Sequence, residues 1–331
     1  MDSVEKHTVW SIDDGARDAV SIKLITTPEQ QVELLKGKGV TFERCAEDRA
    51  LDILTSGETY LHLSAYRVLF QRHEDGPHAG KFVNLDFGDL LDVSCLDDAL
   101  RETFRLLAKD VERTIRARLV SEAAGRGEDG YGIVADFASS LPRRFREGLR
   151  RELISRSQAD EYAGSLIDHY RDAMPVWVLL EVVPFGTLLA FYLFCVERWD
   201  EESRREIHYA LKDVKAVRNC ASHAGCLCNG FLPDRETRHA TSGVVFEWLN
   251  AHGIRNSKGR RAKLRNRRTQ QLVTTVALHD TLAGDNAAPA ALDAVAGLRP
   301  LMEEAMSRYG TQNPLVSHLV FLARVLDAAR H

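Results

Sequence analysis

The most specific chemical pattern in the sequence is a short string, R-N-x-x-x-H, that runs from Arg218 to His223. Histidine titrates near neutral pH and can move the proton of a ribose 2′-hydroxyl or of a leaving oxygen. A guanidinium can grip a phosphate through two parallel hydrogen bonds and stabilise the charge that accumulates on it. This pair of residue types therefore suits RNA cleavage. Histidine would transfer protons and arginine would stabilise the phosphate charge, so the reaction would use no metal.

Helix geometry decides which members of the string can meet. Asn219 and His223 are four residues apart and share a helix face, whereas Arg218 and His223 point about 140° apart. The arginine and the histidine then converge only through the length of the arginine or through a partner chain. A two-fold homodimer would place two copies of the string around one RNA phosphate, so the sequence favours a composite site.

Other patterns in the chain compete with this interpretation. The spacing R-x(4 to 6)-H also occurs at Arg67 with His73 and at Arg72 with His78. Residues 220–228 have the spacing C-x2-H-x2-C-x-C, which invites a zinc site but matches no usual structural zinc pattern. No H-E-x-x-H pair, glycine-rich phosphate loop or G-x-S-x-G elbow occurs. We therefore expect no metal and no cofactor, and nothing supports nucleotide hydrolysis or esterase chemistry.

The elements that position the string are predicted to be helices. Thr27 is a predicted N-cap, with Pro28 at the first helical position and Gln30 closing a capping box. Apolar residues recur every three or four positions through 96–125 and 201–224, so the string ends the second of these helices. Further helical patterns cover residues 270–282, 291–309 and 315–329. Strand-like alternation is nearly absent, and the predicted fold class is all-α.

Length and composition are those of an ordinary globular protein. The chain has 331 residues, 44% of them hydrophobic and 28% charged. Its net charge of −4 excludes a globally polybasic surface, so any nucleic acid must meet a local patch. We expect a tail at residues 1–27, a helical segment packed on the core at 28–95, and an α-helical domain at 96–331 with a basic loop at 255–268.

Cellular location is predicted from two features. The N-terminus lacks the basic and apolar regions of a secretion signal, so the six cysteines are expected to be thiols in the cytoplasm. Residues 175–196 have the length of a membrane span. Glu181, Pro184 and Gly186 interrupt that segment, and its flanks show no positive asymmetry. A central helix of an α-domain is favoured, with no membrane partner.

Residues 255–268 (RNSKGRRAKLRNRR) form the densest basic segment and contain no acid. Such a run is often only a solvated loop, and the functional alternative is salt-sensitive contact with the RNA backbone. The candidate RNA-binding residues in it are Arg255, Lys258, Arg260, Arg261, Lys263, Arg265, Arg267 and Arg268. A second arginine cluster at residues 143–151 is diluted by glutamates and ranks lower.

Five blocks of the chain, in order, resemble the Abi-like (AbiD/AbiF) abortive-infection family of bacteria. They are TTPEQQVELLKGKGVTFE, YLHLSAYRVLF, LDDALRETFRLLAKDVERTIRARL, MPVWVLLEVVPFGTLL and LKDVKAVRNCASHAGCLCNG. The resemblance runs from about residue 26 to about residue 329. It implies a HEPN-like helical bundle, with an N-terminal helical arm and C-terminal closing helices, that acts as a metal-independent endoribonuclease in phage defence. It also implies RNA as the partner, as a cellular or phage target or, for some members, an associated small non-coding RNA.

The resemblance also assigns site residues. Arg218, Asn219 and His223 match the nuclease motif, and Glu181 matches the acidic residue of a W-x-x-x-E-x-x-x-F-G block. Asn229 matches an asparagine that follows the histidine and joins the RNA-binding candidates. Two structural alternatives stay open: His223 as a core histidine or helix cap, and Arg218 as the partner of a buried Glu181, which would also orient the arginine.

The chain departs from the family pattern at three positions. Cys228 and Gly230 stand where an aromatic and a basic residue are common, and His62 stands where an arginine is common. These departures concern RNA contacts beside the site more than the chemistry itself. Two other classes of function fit the same scaffold, a non-catalytic RNA-binding or sensor module and an antitoxin-like or scaffolding protein.

Overall fold

The structure is a computed structural model that describes residues 24–232, 236–311 and 313–329. Those residues form a bundle of α-helices, which confirms the predicted all-α class. Strands β1 (Val40–Thr41) and β2 (Leu85–Asp86) are two residues long and pair in parallel. Most of the predicted N-terminal tail lies outside the described residues.

The helices are numbered in chain order, and their two long connections are residues 66–86 and 223–242. The helices are α1 (Pro28–Gly37), α2 (Glu47–Ser56), α3 (Tyr60–Ala65), α4 (Phe87–Gly125), α5 (Gly132–Ser140), α6 (Arg143–Ala159), α7 (Gly164–His169), α8 (Val176–Val182), α9 (Phe185–Arg198), α10 (Arg205–Ser222), α11 (Gly243–Ala251), α12 (Lys258–Arg265), α13 (Arg267–Leu282), α14 (Pro289–Tyr309) and α15 (Pro314–Ala328).

Capping residues explain where the first long helices begin. The predicted capping box of α1 is present, with Thr27 as N-cap and Gln30 as its reciprocal partner. Helix α4 begins at Phe87 rather than at residue 96, because Asp86 and Asp89 form a second capping box there. The predicted division between residues 95 and 96 therefore falls inside α4, and it stays a prediction.

Helix α4 is the central element of the bundle. It packs against α10, α13 and α14. Its first half lies in a core cluster with the N-terminal arm and α11 to α15, and its second half lies in a cluster with α5, α8, α9 and α10. Helix α4 thus contributes residues to both clusters. Because it also packs against α10, side chains on its second half have defined positions relative to α10.

The apolar segment at residues 175–196 is two helices rather than one. Helix α8 ends at Val182 and α9 begins at Phe185, with Pro184 as its N-cap. The carbonyl groups at the end of α8 are satisfied by Arg116, which donates to Leu180 O (2.6 Å) and Val183 O (3.1 Å). In the described part of the chain, no helix is long and apolar enough to cross a bilayer.

The predicted basic loop is wrong, because most of residues 255–268 is helical. Ser257 is the N-cap of α12 and accepts a hydrogen bond from Arg260 N. Asn266 ends that helix and is at the same time the N-cap of α13, accepting from Thr269 N. Most of the basic side chains therefore lie on two capped helices, and the helix face on which each one lies decides whether it is exposed.

Candidate active site

The R-N-x-x-x-H string ends an amphipathic helix, as the sequence predicted. Helix α10 finishes at Ser222, and His223 is its exposed C-cap residue. The helix is closed by a hydrogen bond from Gly225 N to Cys220 O (2.8 Å), with Ala224 in the left-handed region at φ 51°. The alternative of a core histidine is wrong, because the side chain of His223 is in solvent.

Arg218 lies in a cleft between α4, α8 and the end of α10, which we call the α8 cleft. Its volume is about 780 Å³. Glu181 also lines it, so the structure brings together two of the predicted site residues. The cationic side chains of the lining outnumber the two carboxylates, and they are Arg105, Lys109, Arg113, Arg116 and Arg218.

The carboxylate within ion-pair distance of Arg218 is that of Glu112 rather than that of Glu181. Glu112 is buried and lies 2.7 Å from Arg116 Nη2 and 3.8 Å from Arg218 Nε. Arg218 Nη1 also donates to Asn219 Oδ1 (3.2 Å). Glu181 is exposed on the cleft, so the structural alternative of a buried Glu181 paired with Arg218 is wrong. The buried Glu112 carboxylate therefore fixes the guanidinium of Arg116 at the cleft wall and lies within ion-pair distance of Arg218.

A second cleft, the α6 cleft, lies on the other side of Arg218. It has a volume of about 770 Å³, and Arg218 and Asn219 both line it. Its other cations are Lys215 of α10 and Arg144 and Arg151 of α6. Helix α6 has no buried residue. The arginine cluster at 143–151, ranked second by the sequence, therefore borders the string directly.

His223 lines neither of these two clefts. It lies beyond the last helical residue, five positions after Arg218, and faces solvent. Within one chain the two side chains therefore do not line a shared cleft. This arrangement agrees with the rotation of about 140° expected from helix geometry, and it leaves the histidine exposed to solvent.

The loop after the string is attached to α4 by a buried carboxylate that sequence analysis missed. Asp97 is fully buried and accepts hydrogen bonds from Leu227 N (2.9 Å), Cys228 N (2.6 Å) and Tyr66 OH (3.1 Å). These bonds fix the 3₁₀ turn at Cys228–Gly230, which contains the candidate Asn229. No local pattern could reveal a contact across 130 residues.

Two of the departures from the family pattern have structural counterparts. The side chain of Arg268 occupies the space above Gly230, where an added Cβ would come within van der Waals overlap of Arg268 Cγ. A basic group is thus present beside the turn, but from α13. His62 lies 3.0 Å from the Tyr66 hydroxyl and 3.8 Å from Cys226 Sγ, so it packs against the same loop.

The cysteines around the string are ordinary thiols. Burial raises the pKa of Cys226 and, more strongly, that of the fully buried Cys228, so both are protonated near neutral pH. Across the described ranges, no group of three or more His, Cys, Asp or Glu side chains has the arrangement of a metal site.

Half of the basic candidates at 255–268 are engaged inside the protein. Arg260 is buried and donates to Asn250 Oδ1 (2.9 Å) and Ile254 O (2.6 Å). Lys263 and Arg268 are half-buried, and Arg267 is held by Asp213. The candidates that remain exposed are Arg255, Lys258, Arg261 and Arg265.

Comparison with protein families identifies a match for this part of the chain. A sequence model of the Abi-like protein family matches residues 53–229, more than half of the chain. The matched range contains the string, Glu181 and the residues lining both clefts, and it ends before the basic segment at 255–268. Comparison with curated proteins and with solved structures gave no significant match.

Proposed function

The chain belongs to the Abi-like protein family, which is linked to abortive infection, and we propose that it is a HEPN-type endoribonuclease of such a phage-defence system. The observation that carries the proposal is the position of Arg218. It lies at the junction of two cation-lined clefts, 3.8 Å from Glu112 and five residues before the exposed His223. A phosphate in either cleft would meet a guanidinium already in place.

The proposed site is completed by a second copy of the chain. One His223 takes the proton of a ribose 2′-hydroxyl as its oxygen attacks the adjacent phosphorus. Arg218 holds the non-bridging oxygens while the bond to the 5′-oxygen breaks, and the other His223 donates a proton to that leaving oxygen. The products are a 2′,3′-cyclic phosphate and a 5′-hydroxyl. The RNA is a cellular or phage target, with a small non-coding RNA as a further partner.

The end groups of the product test this function directly. Purified protein should cut single-stranded RNA and leave a 2′,3′-cyclic phosphate, which phosphatase removes only after mild acid opens the ring. Cleavage should persist in EDTA, because histidine and arginine perform every proton and charge transfer of the proposed reaction. A complete metal requirement, or a 5′-phosphate on the product, would contradict the mechanism.

A second candidate function is a non-catalytic RNA-binding or sensor module on the same helical scaffold. The separation of Arg218 and His223 within one chain favours it, since a binding site has no need for the two to converge. RNA retention without any cleaved product, from a protein that is dimeric in solution, would establish this alternative.

The composite site predicts rescue between inactive chains. Light scattering should report a dimer, and a mixture of Arg218→Ala and His223→Ala chains should recover part of the activity that each homodimer lacks. The reason is that a heterodimer regains one intact arginine and one of the two histidines, so it can stabilise the phosphate charge and perform one of the two proton transfers, whereas each homodimer lacks all of its arginines or all of its histidines at this site. Mixing His223→Ala with itself is the control. A fully active monomer would rule out the composite arrangement.

Helix α6 predicts where the RNA backbone is held. Arg144→Gln combined with Arg151→Gln should weaken binding of unrelated RNAs alike and reduce the slope of log affinity against log salt by about 1.4, which is about 0.7 for each lost phosphate contact. Filter-binding titrations at several salt concentrations measure this slope.

The matched control for that prediction comes from the basic segment. Arg261→Gln combined with Arg265→Gln removes the same charge from exposed positions outside both clefts. We expect a smaller change in slope for this pair. An unchanged slope in the α6 variant would return that cluster to the status of a solvated helix face.

A further inference from the structure

Trp177 lines the α8 cleft and forms with Tyr131 an aromatic pair that the proposed chemistry does not use. Trp177 is 48% exposed and Tyr131 is 44% exposed. Their ring centroids are 5.9 Å apart in an edge-to-face arrangement. Trp177 lies in the first turn of α8, four residues before Glu181, so both side chains share one helix face. A single exposed apolar residue needs no explanation, but two adjacent rings at a charged cleft do.

The backbone beneath the indole ring holds it in place. A Cβ atom at Gly130 would lie 2.6 Å from the ring of Trp177, so the ring packs directly on glycine backbone. Val176 N donates to Gly130 O (2.9 Å), and Asp129 accepts from Tyr131 N (3.1 Å). The ring is therefore positioned before any ligand arrives, which lowers the entropy lost on binding.

The charges of the same cleft indicate what the ring contacts. The side chain of Arg218 is 38% exposed, and Lys109 of α4 is also exposed there. Ion pairs fix Arg116 on Glu112, so the α4 wall presents ordered guanidinium groups. A flat aromatic face beside cations matches a nucleotide, whose base stacks while its phosphate is held. An apolar surface of a protein partner fits the cleft less well, because it would offer no negative charge to these cations.

We propose that the α8 cleft is a nucleotide subsite in which a base flanking the scissile phosphate stacks on Trp177 while the phosphate meets Arg218. The inference rests on the proposed function and specifies that the RNA substrate is single-stranded at the site. The ligand is an unpaired RNA nucleotide, because a base inside a duplex does not expose its face. Every base has a π face, so the subsite tolerates any sequence.

Binding to a non-cleavable probe tests the subsite independently of catalysis. The probe is a short unstructured 2′-O-methyl oligoribonucleotide, compared with the same backbone carrying abasic residues. Trp177→Ala should weaken binding of the base-containing probe by about 5- to 150-fold, the usual effect of removing one base–aromatic stack. On the abasic probe the variant and the wild type should differ by less than about twofold, because only the stack has been removed.

Three further variants separate stacking from a structural role. Trp177→Phe should retain most of the affinity but lose the quenching of tryptophan emission that stacking on Trp177 causes. Gly130→Ala should reproduce part of the loss, since its methyl group displaces the ring. Tyr162→Ala removes a 95% exposed aromatic residue outside both clefts and should change nothing.

The outcomes distinguish this inference from the proposed function. Base-dependent loss of binding in Trp177→Ala without any RNA cleavage by the wild type would support the subsite and refute the nuclease. Cleavage by the wild type with an equal loss of binding on both probes, or with no loss, would overturn the subsite alone. A variant that dissociates the dimer but binds both probes normally would place Trp177 at a protein interface and overturn it as well.

Discussion

His223→Ala should lower RNA cleavage by about 10²- to 10⁴-fold, the usual contribution of a general acid–base group, and leave the fold unchanged. The fold is expected to survive because the side chain is exposed at the C-cap of α10. The backbone N–H of residue 223 donates to Asn219 O (3.1 Å), a bond that alanine keeps. Initial rates on labelled single-stranded RNA measure the loss, and circular dichroism checks the helix content.

His169→Ala is the matched control for that variant. His169 is also an exposed histidine at the C-terminal end of a helix, the last residue of α7, and it lines neither cleft. We expect wild-type rates from it. Wild-type rates from His223→Ala would instead move the chemistry elsewhere, with Arg67 and His73 as the next pair to substitute.

Local rules predicted the helices well because each rule concerns neighbouring residues. The capping box at Thr27 involves contacts across three positions, and the 3.6-residue period of α10 requires one face to be buried. The same period placed the R-N-x-x-x-H string at a helix end. These features depend on hydrogen bonds and burial within one helix, so they can be predicted from the local sequence.

The basic segment shows where composition fails. Eight cations without an acid predicted a solvated loop, yet α12 turns Arg260 inward beneath Phe246, with its guanidinium 5.4 Å from that ring. An arginine stem is apolar and its donors can be satisfied by carbonyl oxygens, so charge alone does not decide exposure. Ser257 and Asn266 are residue types that favour N-cap positions, so the local sequence does contain a signal for the start of each helix.

The acid that holds Arg218 could not be predicted for a different reason. Glu112 and Arg218 are 106 residues apart, and their pairing depends on how α4 packs against α10. Glu181 was the better candidate from its motif, because it follows an apolar run that suggested burial. In the structure Glu181 is exposed on α8, at the wall of the α8 cleft. Long-range packing, rather than motif, therefore decides which carboxylate supports the arginine.

Asp97→Ala should reduce the free energy of unfolding by about 3–5 kcal/mol, because it removes a fully buried acceptor and leaves its buried donors unpaired. Two backbone N–H groups, of Leu227 and Cys228, and the hydroxyl of Tyr66 lose their acceptor together. Arg101, which lies 3.5 Å from the same carboxylate, loses part of its charge compensation. Urea-induced unfolding followed by circular dichroism measures the change.

Asp98→Ala is the control, since it removes the neighbouring carboxylate, whose side chain is 52% exposed and pairs with the same Arg101. An exposed pair contributes about 0–1 kcal/mol, so the stability of the control should lie close to that of the wild type.

Asp97→Asn should have a stability between those of the wild type and Asp97→Ala, because its amide keeps one acceptor oxygen but turns an NH₂ group toward donors. Asp97 also holds the loop that follows His223, so Asp97→Asn should lower cleavage at temperatures where it is still folded. Equal stability of the Asp97→Ala and Asp98→Ala chains would show that the buried carboxylate does not anchor this loop.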